Sequence, residues 1–191
     1  ILENNLLGTL PVDANQNFKE GKVERNGLII GNNNIFHINN KISSGDVNKT
    51  IIGDNNKFLS DVYISHDCHI HNNVIFYPRV FSAGIVEFYS NCNVGAGAYI
   101  HQKCRIGGYS MIGMNTTVTK NVLPYFISIN NKYTRVNIKR LSHLNEYQIL
   151  TLEEILKNMK EGNYPAMEKN ISYLDDKMKE KFNKIKIIKQ K

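Results

Sequence analysis

The sequence predicts an all-β solenoid: a parallel β-helix of hexapeptide repeats with a C-terminal α-helical tail. Three observations predict it. An apolar residue returns every sixth position, a small or β-branched residue does so in a second series, and the spacing becomes helical near the C-terminus. A period of six fits neither an α-helix nor a half-buried strand. It fits a coil with three flat sides, each pointing one large and one small side chain inward.

The two series define the expected core. In the large series eleven of twelve residues are apolar: Ile52, Phe58, Ile64, Ile70, Phe76, Ser82, Phe88, Val94, Ile100, Ile106, Ile112 and Val118. The second series holds Val62, Cys68, Val74, Val80, Val86, Cys92, Ala98, Cys104, Ser110 and Thr116. Since all three cysteines belong to this series, we expect them to be free thiols in the core. Three sides of six residues give an eighteen-residue coil, with coils roughly 4.8 Å apart.

We divide the chain into a β-helix over residues 1–125 and an irregular connection with an α-helical domain over residues 126–191. The first residue is Ile1 rather than Met, so we expect the N-terminus of the β-helix to be incomplete. An earlier tract with the same period, ending at Ile42, is interrupted by a loop before the main series begins.

The tail carries helix signals. Thr151 and Glu154 have the spacing of an N-terminal capping box, and Gly162 is suited to end that helix. Pro165 favours the start of a second helix, whose apolar positions continue to Phe182.

Composition limits the partners. The net charge of +7 is mild and no stacking aromatic motif accompanies it, so we expect no nucleic acid; an acidic carrier protein or a phosphate-bearing substrate fits the charge. No apolar run is long enough for a membrane span. An odd cysteine count argues against a secreted disulfide scaffold. We attribute the abundance of asparagine to codon bias.

The eighteen-residue step also aligns exposed residues. His66, Gly84 and Gln102 should stack along one edge of the prism on three consecutive coils. A base, a backbone N–H free of side-chain bulk and an amide donor in one line are what acyl transfer from a thioester needs. Histidines on a solenoid edge are ordinarily solvated, and we interpret His69 and His71 in that way.

Several segments resemble the UDP-N-acetylglucosamine O-acyltransferases of lipid A synthesis, over roughly residues 14–145. They are NQNFK, ISHDC, SAGIVEF, IHQKCRIG and RVNIKRL. The resemblance implies a left-handed β-helix, a homotrimer with sites at the subunit seams and a cytoplasmic location, although an organelle address could lie in missing N-terminal residues. It also implies an acyl carrier protein thioester as donor, a nucleotide sugar as acceptor, and neither cofactor nor metal.

The same resemblance assigns roles. It makes His66 the general base and Gly84 the source of the oxyanion N–H, and we expect Asp67 to orient the site or the substrate. Substrate contacts are implied for Asn15, Gln16, Asn17, Lys19, Asp67, His101, Gln102, Asn137 and His143. The residue thirteen positions after His101 limits acyl length in this family. Here it is Met114, which predicts a short-to-medium chain.

The chain departs from the family at acceptor contacts. Asn17 replaces an Asp, Ile85 and Tyr63 replace His residues, Lys139 replaces a Glu, and His143 stands where the family has a phosphate-binding Arg. The departures leave O- and N-acyl transfer both open, and the exact acceptor sugar with them.

Three other functions stay open at this point. A coenzyme-A-dependent sugar N- or O-acetyltransferase shares the fold and a His base. A γ-type carbonic anhydrase would use His66 and His101 as zinc ligands, but the third ligand position is Ala96 and two His are too few. A solenoid that binds without catalysis is the third.

Overall fold

The computed structural model describes residues 1–11 and 26–185. These residues form a left-handed parallel β-solenoid of about six turns followed by a short helical region, which confirms the predicted fold class. The strands are β1 (Leu6–Thr9), β2 (Leu28–Ile30), β3 (Ile35–Phe36), β4 (Lys41–Ser43), β5 (Thr50–Ile52), β6 (Lys57–Phe58), β7 (Tyr63–Ile64), β8 (His69–Ile70), β9 (Ile75–Phe76), β10 (Phe81–Ser82), β11 (Glu87–Phe88), β12 (Asn93–Val94), β13 (Tyr99–Ile100), β14 (Arg105–Ile106), β15 (Met111–Ile112), β16 (Thr117–Val118), β17 (Phe126–Ile129) and β18 (Lys132–Val136).

Every third strand joins one of three flat sheets. Face A contains β1, β4, β7, β10, β13 and β16; face B contains β2, β5, β8, β11 and β14; face C contains β3, β6, β9, β12, β15, β17 and β18. All neighbours are parallel except the β17–β18 hairpin. Within the main series the register advances by eighteen residues, as between Tyr63 and Phe81. The eighteen-residue coil predicted from the sequence is therefore present.

The inward positions form one continuous core. Members of both predicted series are buried, and the rings of Phe36, Phe58 and Phe76 stack on successive coils with centroids 4.6 and 4.9 Å apart. Cys68, Cys92 and Cys104 are buried free thiols, as predicted. Burial raises the pKa of both Cys68 and Cys104 to about 11, so these thiols stay protonated at neutral pH.

Asparagine has a structural role at the corners. Sixteen described non-glycine residues have positive φ, and eleven of them, nine Asn and two Asp, are of the types that tolerate this conformation best. Ile85 is the only β-branched residue among the sixteen. The demand for left-handed corners explains part of the asparagine content that we attributed to codon bias.

Up to residue 185 the tail contains three helices, α1 (Glu146–Lys160), α2 (Tyr164–Ser172) and α3 (Asp176–Lys184). The predicted capping box was wrong: Asn145 and Gln148 form it, whereas Thr151 lies inside α1 and donates its hydroxyl to the Tyr147 carbonyl. The predicted second helix is two helices, because Asp175 caps a new one.

The tail packs on the last coils through a second apolar cluster. Tyr125, Phe126, Leu152, Met167 and Phe182 belong to this cluster, and the solenoid residues Tyr89 and Tyr109 pack against it. β17 begins after residue 125 but pairs with β15 of the β-helix. The division of the chain at residue 125 therefore remains a prediction. In the described ranges no helix is long and apolar enough to cross a membrane.

Candidate active site

His66, Gly84 and Gln102 lie in one column, at the corner where the chain passes from face A to face B. The Ile85 N–H donates to the His66 carbonyl at 2.9 Å, and the Lys103 N–H donates to the Gly84 carbonyl at 3.2 Å. These bonds connect successive coils at the corner. We call this column the His66 edge; it brings together the three residues that the sequence aligned.

The His66 ring lies against Gly84 on the next coil. The sequence placed His66 among the exposed residues, and this was wrong. The residue is only 8% exposed, so its ring is covered by protein. A Cβ at Gly84 would come within 2.6 Å of His66 Nε2, so any larger residue would displace the ring. Among the described residues, the Gly84 amide N–H donates to no acceptor. Gly84 thus provides room for the base and a free donor beside it.

Asp67 holds the other side of the His66 ring. Its Oδ2 is 2.7 Å from His66 Nδ1, and its side chain is only 2% exposed. Because a carboxylate only accepts, Nδ1 carries the proton of the neutral ring and the Nε2 lone pair remains available. We expected Asp67 to orient the site or contact substrate, and its observed partner is His66.

A longer corner on the preceding coil holds Asp67. The register between Lys41 and Tyr63 spans 22 residues (63 − 41), four more than the regular coil. The additional residues form a loop whose amides donate to the Asp67 carboxylate, from Asn48 at 2.6 Å, Asp46 at 3.2 Å and Val47 at 3.4 Å. The interruption was visible in the sequence, but nothing there indicated that the loop holds Asp67.

An open groove of about 330 Å³ continues from this edge onto face B. Its lining is Asp67, His69, Ile85, Val86, Glu87, Lys103 and Arg105. A hydrogen bond from His71 keeps the pKa of Glu87 below its ordinary value, and Arg105 acts in the same direction. Burial and the neighbouring His71 lower the pKa of His69. Sequence reasoning missed Glu87, Lys103 and Arg105, although their eighteen-residue spacing from other site residues was a usable signal.

The remaining predicted residues are dispersed. His101 and Gln102 are exposed at the His66 edge, with His101 Nδ1 3.2 Å from the Gln102 carbonyl oxygen. Asn137 and His143 lie at a different edge, where both contact Tyr109: Asn137 donates to its carbonyl at 2.8 Å, and the His143 ring is 4.6 Å from its ring. Asn15, Gln16, Asn17 and Lys19 lie outside the described residues.

Met114 occupies the third edge, where face C turns into face A. It is 71% exposed and stacks over Ala96, whose carbonyl accepts the Asn115 N–H. We call this column, with Pro78 and Ser60 below, the Met114 edge. Face A joins the two edges and carries a ladder of stacked rings, Tyr63, Phe81 and Tyr99, with centroids 4.8 and 5.8 Å apart. Phe81 and Tyr99 are exposed and Tyr63 is partly buried.

Two groups of side chains within the described residues could each hold a metal ion. One is Asp46, His66 and Asp67; the other is His69, His71 and Glu87. Neither group contains His101, so among the described residues of one chain His66 and His101 share no group that could hold a metal ion.

Sequence comparison finds relatives in the family that the sequence motifs resemble. The acyl-[acyl-carrier-protein]–UDP-N-acetylglucosamine O-acyltransferase of Burkholderia orbicola is 36% identical over 114 residues, covering 58% of this chain and 44% of the relative. The enzyme of the same name from Helicobacter pylori is 35% identical over 152 residues, covering 78% and 53%. This chain is a homologue of the UDP-N-acetylglucosamine O-acyltransferases. The resemblance stated from the sequence motifs is confirmed.

The solved UDP-N-acetylglucosamine acyltransferase of Bacteroides fragilis superposes with a TM-score of 0.84 at 25% identity, covering 94% of this chain and 73% of that one. No protein-family model matches the chain. The chain spans about half the length of the curated acyltransferases that it matches.

Proposed function

We propose that this UDP-N-acetylglucosamine O-acyltransferase homologue moves an acyl group from an acyl carrier protein thioester to UDP-N-acetylglucosamine or a related nucleotide sugar. The observation that carries the proposal is the His66 edge, where a buried His–Asp pair lies against a glycine with a free N–H. The names of the relatives supply the substrate class.

The proposed reaction uses this geometry directly. His66 Nε2 accepts the proton of a sugar hydroxyl while the hydroxyl oxygen attacks the thioester carbonyl carbon. The carbonyl oxygen gains the charge of the tetrahedral intermediate, and the Gly84 N–H donates to it. Collapse breaks the C–S bond, and the proton on His66 passes to the leaving thiolate. Asp67 stabilises the His66 imidazolium between these steps, and the reaction needs no bound cofactor.

The proposed donor side follows from the groove and face A. Lys103 and Arg105 provide positive charge for a phosphate-bearing or acidic partner. Phe81 and Tyr99, 40% and 57% exposed, offer an apolar surface between His66 and Met114 along which a short-to-medium acyl chain could lie.

His101, Gln102, Asn137 and His143 remain proposed substrate contacts. We also propose that the protein is located in the cytoplasm.

We propose a homotrimer in which a neighbour covers the exposed side of each His66 edge. The exposed rings of face A and Ile85, 45% exposed, form apolar surface of the kind that subunit contacts bury. Light scattering of the purified protein should give three times the chain mass. A monomer with full transfer activity would contradict the trimer.

The activity test is a transfer assay read by mass spectrometry. The purified protein is incubated with UDP-N-acetylglucosamine and a series of acyl carrier protein thioesters, and in parallel with the matching coenzyme A thioesters. We expect one acyl group on the sugar from the carrier protein only. Product from coenzyme A alone would support the acetyltransferase alternative, and no product from either donor would favour a binding solenoid.

A further inference from the structure

His69, His71 and Glu87 converge on one surface of face B, next to the His66 edge. His69 and His71 are two positions apart in extended chain, so their side chains project to the same side. Glu87 on β11 is the register partner of His69 on β8. The ligand atoms of the three side chains all lie within 4.8 Å of one another. We expected these histidines to be merely solvated, but each is only partly exposed.

The three side chains are close to a metal-binding geometry. His71 Nε2 is 3.1 Å from Glu87 Oε1, and the rings of His69 and His71 are stacked with centroids 4.1 Å apart. In a tetrahedral zinc site with Zn–N near 2.1 Å, ligand atoms are separated by roughly 3.4 Å. To bind an ion, the partly exposed side chains must rotate so that separations of up to 4.8 Å shorten and the nitrogen lone pairs of the stacked rings point to one position.

One further feature distinguishes this group from a satisfied ion-pair network. No hydrogen bond to either ring nitrogen of His69 is found in residues 1–11 and 26–185, whereas His71 is bonded to Glu87. Glu87 also has Arg105 Nε at 3.5 Å, which is a weak and partly exposed contact. A metal ion would use the unpaired His69 nitrogen and would replace the longer Arg105 contact.

We propose that His69, His71 and Glu87 bind one divalent transition-metal ion of the zinc class. Two imidazoles and a carboxylate are a set that zinc accepts, and three protein ligands leave a position for water or an anionic oxygen. The ion connects β8 to β11 and therefore joins two adjacent coils beside the His66 edge. None of its ligands takes part in the proposed proton transfer, although His69 and Glu87 line the groove in which we place the acyl donor.

The test is Zn²⁺ binding by the metal-free purified protein, measured by competition with a chromophoric chelator. We expect about one Zn²⁺ per chain and a raised melting temperature with Zn²⁺, because the ion binds only the folded state. His69→Ala, His71→Ala and Glu87→Gln should each weaken binding at least roughly tenfold. Arg105→Ala should tighten binding, because it removes a competing cation from Glu87. Co²⁺ in place of Zn²⁺ should give visible absorption that His69→Ala abolishes.

Two controls locate the ion. His37→Ala removes an exposed histidine outside the group and should leave binding unchanged. His66→Ala tests the second potential group, Asp46, His66 and Asp67, and should also leave binding unchanged. Loss of binding in His66→Ala with retention in Glu87→Gln, or no Zn²⁺ binding tighter than roughly 10 µM where a zinc site binds far more strongly, would overturn the proposal. Each variant's circular dichroism shows whether it folds.

Discussion

The two edges that border face A differ in how tightly their side chains are held. At the His66 edge a ring 8% exposed lies between a carboxylate and a glycine, and a loop supplies three amides to that carboxylate. At the Met114 edge, the side chain is 71% exposed and stacks over Ala96. The same hexapeptide turn builds both. The closely packed side chains of the His66 edge suit proton transfer, which requires precise geometry. An exposed side chain such as Met114 can be replaced with little effect on the fold.

Replacing His66 with Ala should have the largest effect on transfer. Removing the general base is expected to lower kcat by roughly 10²–10⁴. The fold should persist, because His66 lies outside the apolar core. The measurement is the carrier-protein transfer assay together with circular dichroism. His37→Ala is the matched control and should keep its activity; His37 Nδ1 lies 2.9 Å from Oγ of Ser60 on the Met114 edge. A His66→Ala protein with most of its activity would refute the proposed mechanism.

Asp67→Asn should lower kcat less than His66→Ala does, but more than the matching substitution at the Met114 edge. The amide removes the charge that stabilises the His66 imidazolium and disturbs the bonds from the loop, so kcat should fall about tenfold or more with little change in KM. Asp61 is an acidic residue in the same left-handed conformation at the Met114 edge. Asp61→Asn should therefore leave kcat unchanged. Equal losses in both variants would mean that Asp67 acts through general stability alone.

Sequence reasoning could predict the column because a solenoid converts spacing into position. Once eighteen residues make one coil, His66, Gly84 and Gln102 can occupy only one edge. The loop contacts to Asp67 could not be predicted, because they depend on the path of four inserted residues that break the period. The helix cap at Asn145 was missed because Thr151 and Glu154 have the same local spacing as Asn145 and Gln148, which form the observed capping box.

The Asn137 and His143 contacts show a second limit. The motifs implied that both serve the substrate, yet within one chain they lie around Tyr109, at another edge from His66. Their role in the proposed reaction depends on how chains assemble, which spacing along one chain does not encode. Glu87 and Arg105 were missed because their apolar neighbours dominate the hexapeptide pattern.

Met114→Gly should change specificity and leave the chemistry intact. We propose that its exposed side chain limits the space for the acyl chain at the Met114 edge, in which case the wild-type protein should prefer short-to-medium acyl donors. With glycine the preferred chain should lengthen, since each additional buried methylene contributes roughly 0.8 kcal/mol, or about fourfold in kcat/KM. The measurement is kcat/KM across carrier-protein donors of increasing length. A wild-type preference for long chains that Met114→Gly leaves unchanged would contradict the role of Met114.

Substitution of Ile85 should have the smallest effect. This residue lies at the His66 edge, and its backbone conformation is strained. Its φ of 61° places a β-branched side chain in the left-handed region, where asparagine is the usual corner residue in this chain. Ile85→Asn should therefore raise the free energy of unfolding by about 0.5–1 kcal/mol, measured by urea denaturation. The reverse exchange at an ordinary corner, Asn73→Ile, should lower it by a similar amount. If Ile85→Asn is instead destabilising, the apolar contacts of this 45% exposed side chain outweigh its backbone strain. If it stabilises the fold and slows acyl transfer, the strain is retained because Ile85 contacts the substrate in the groove.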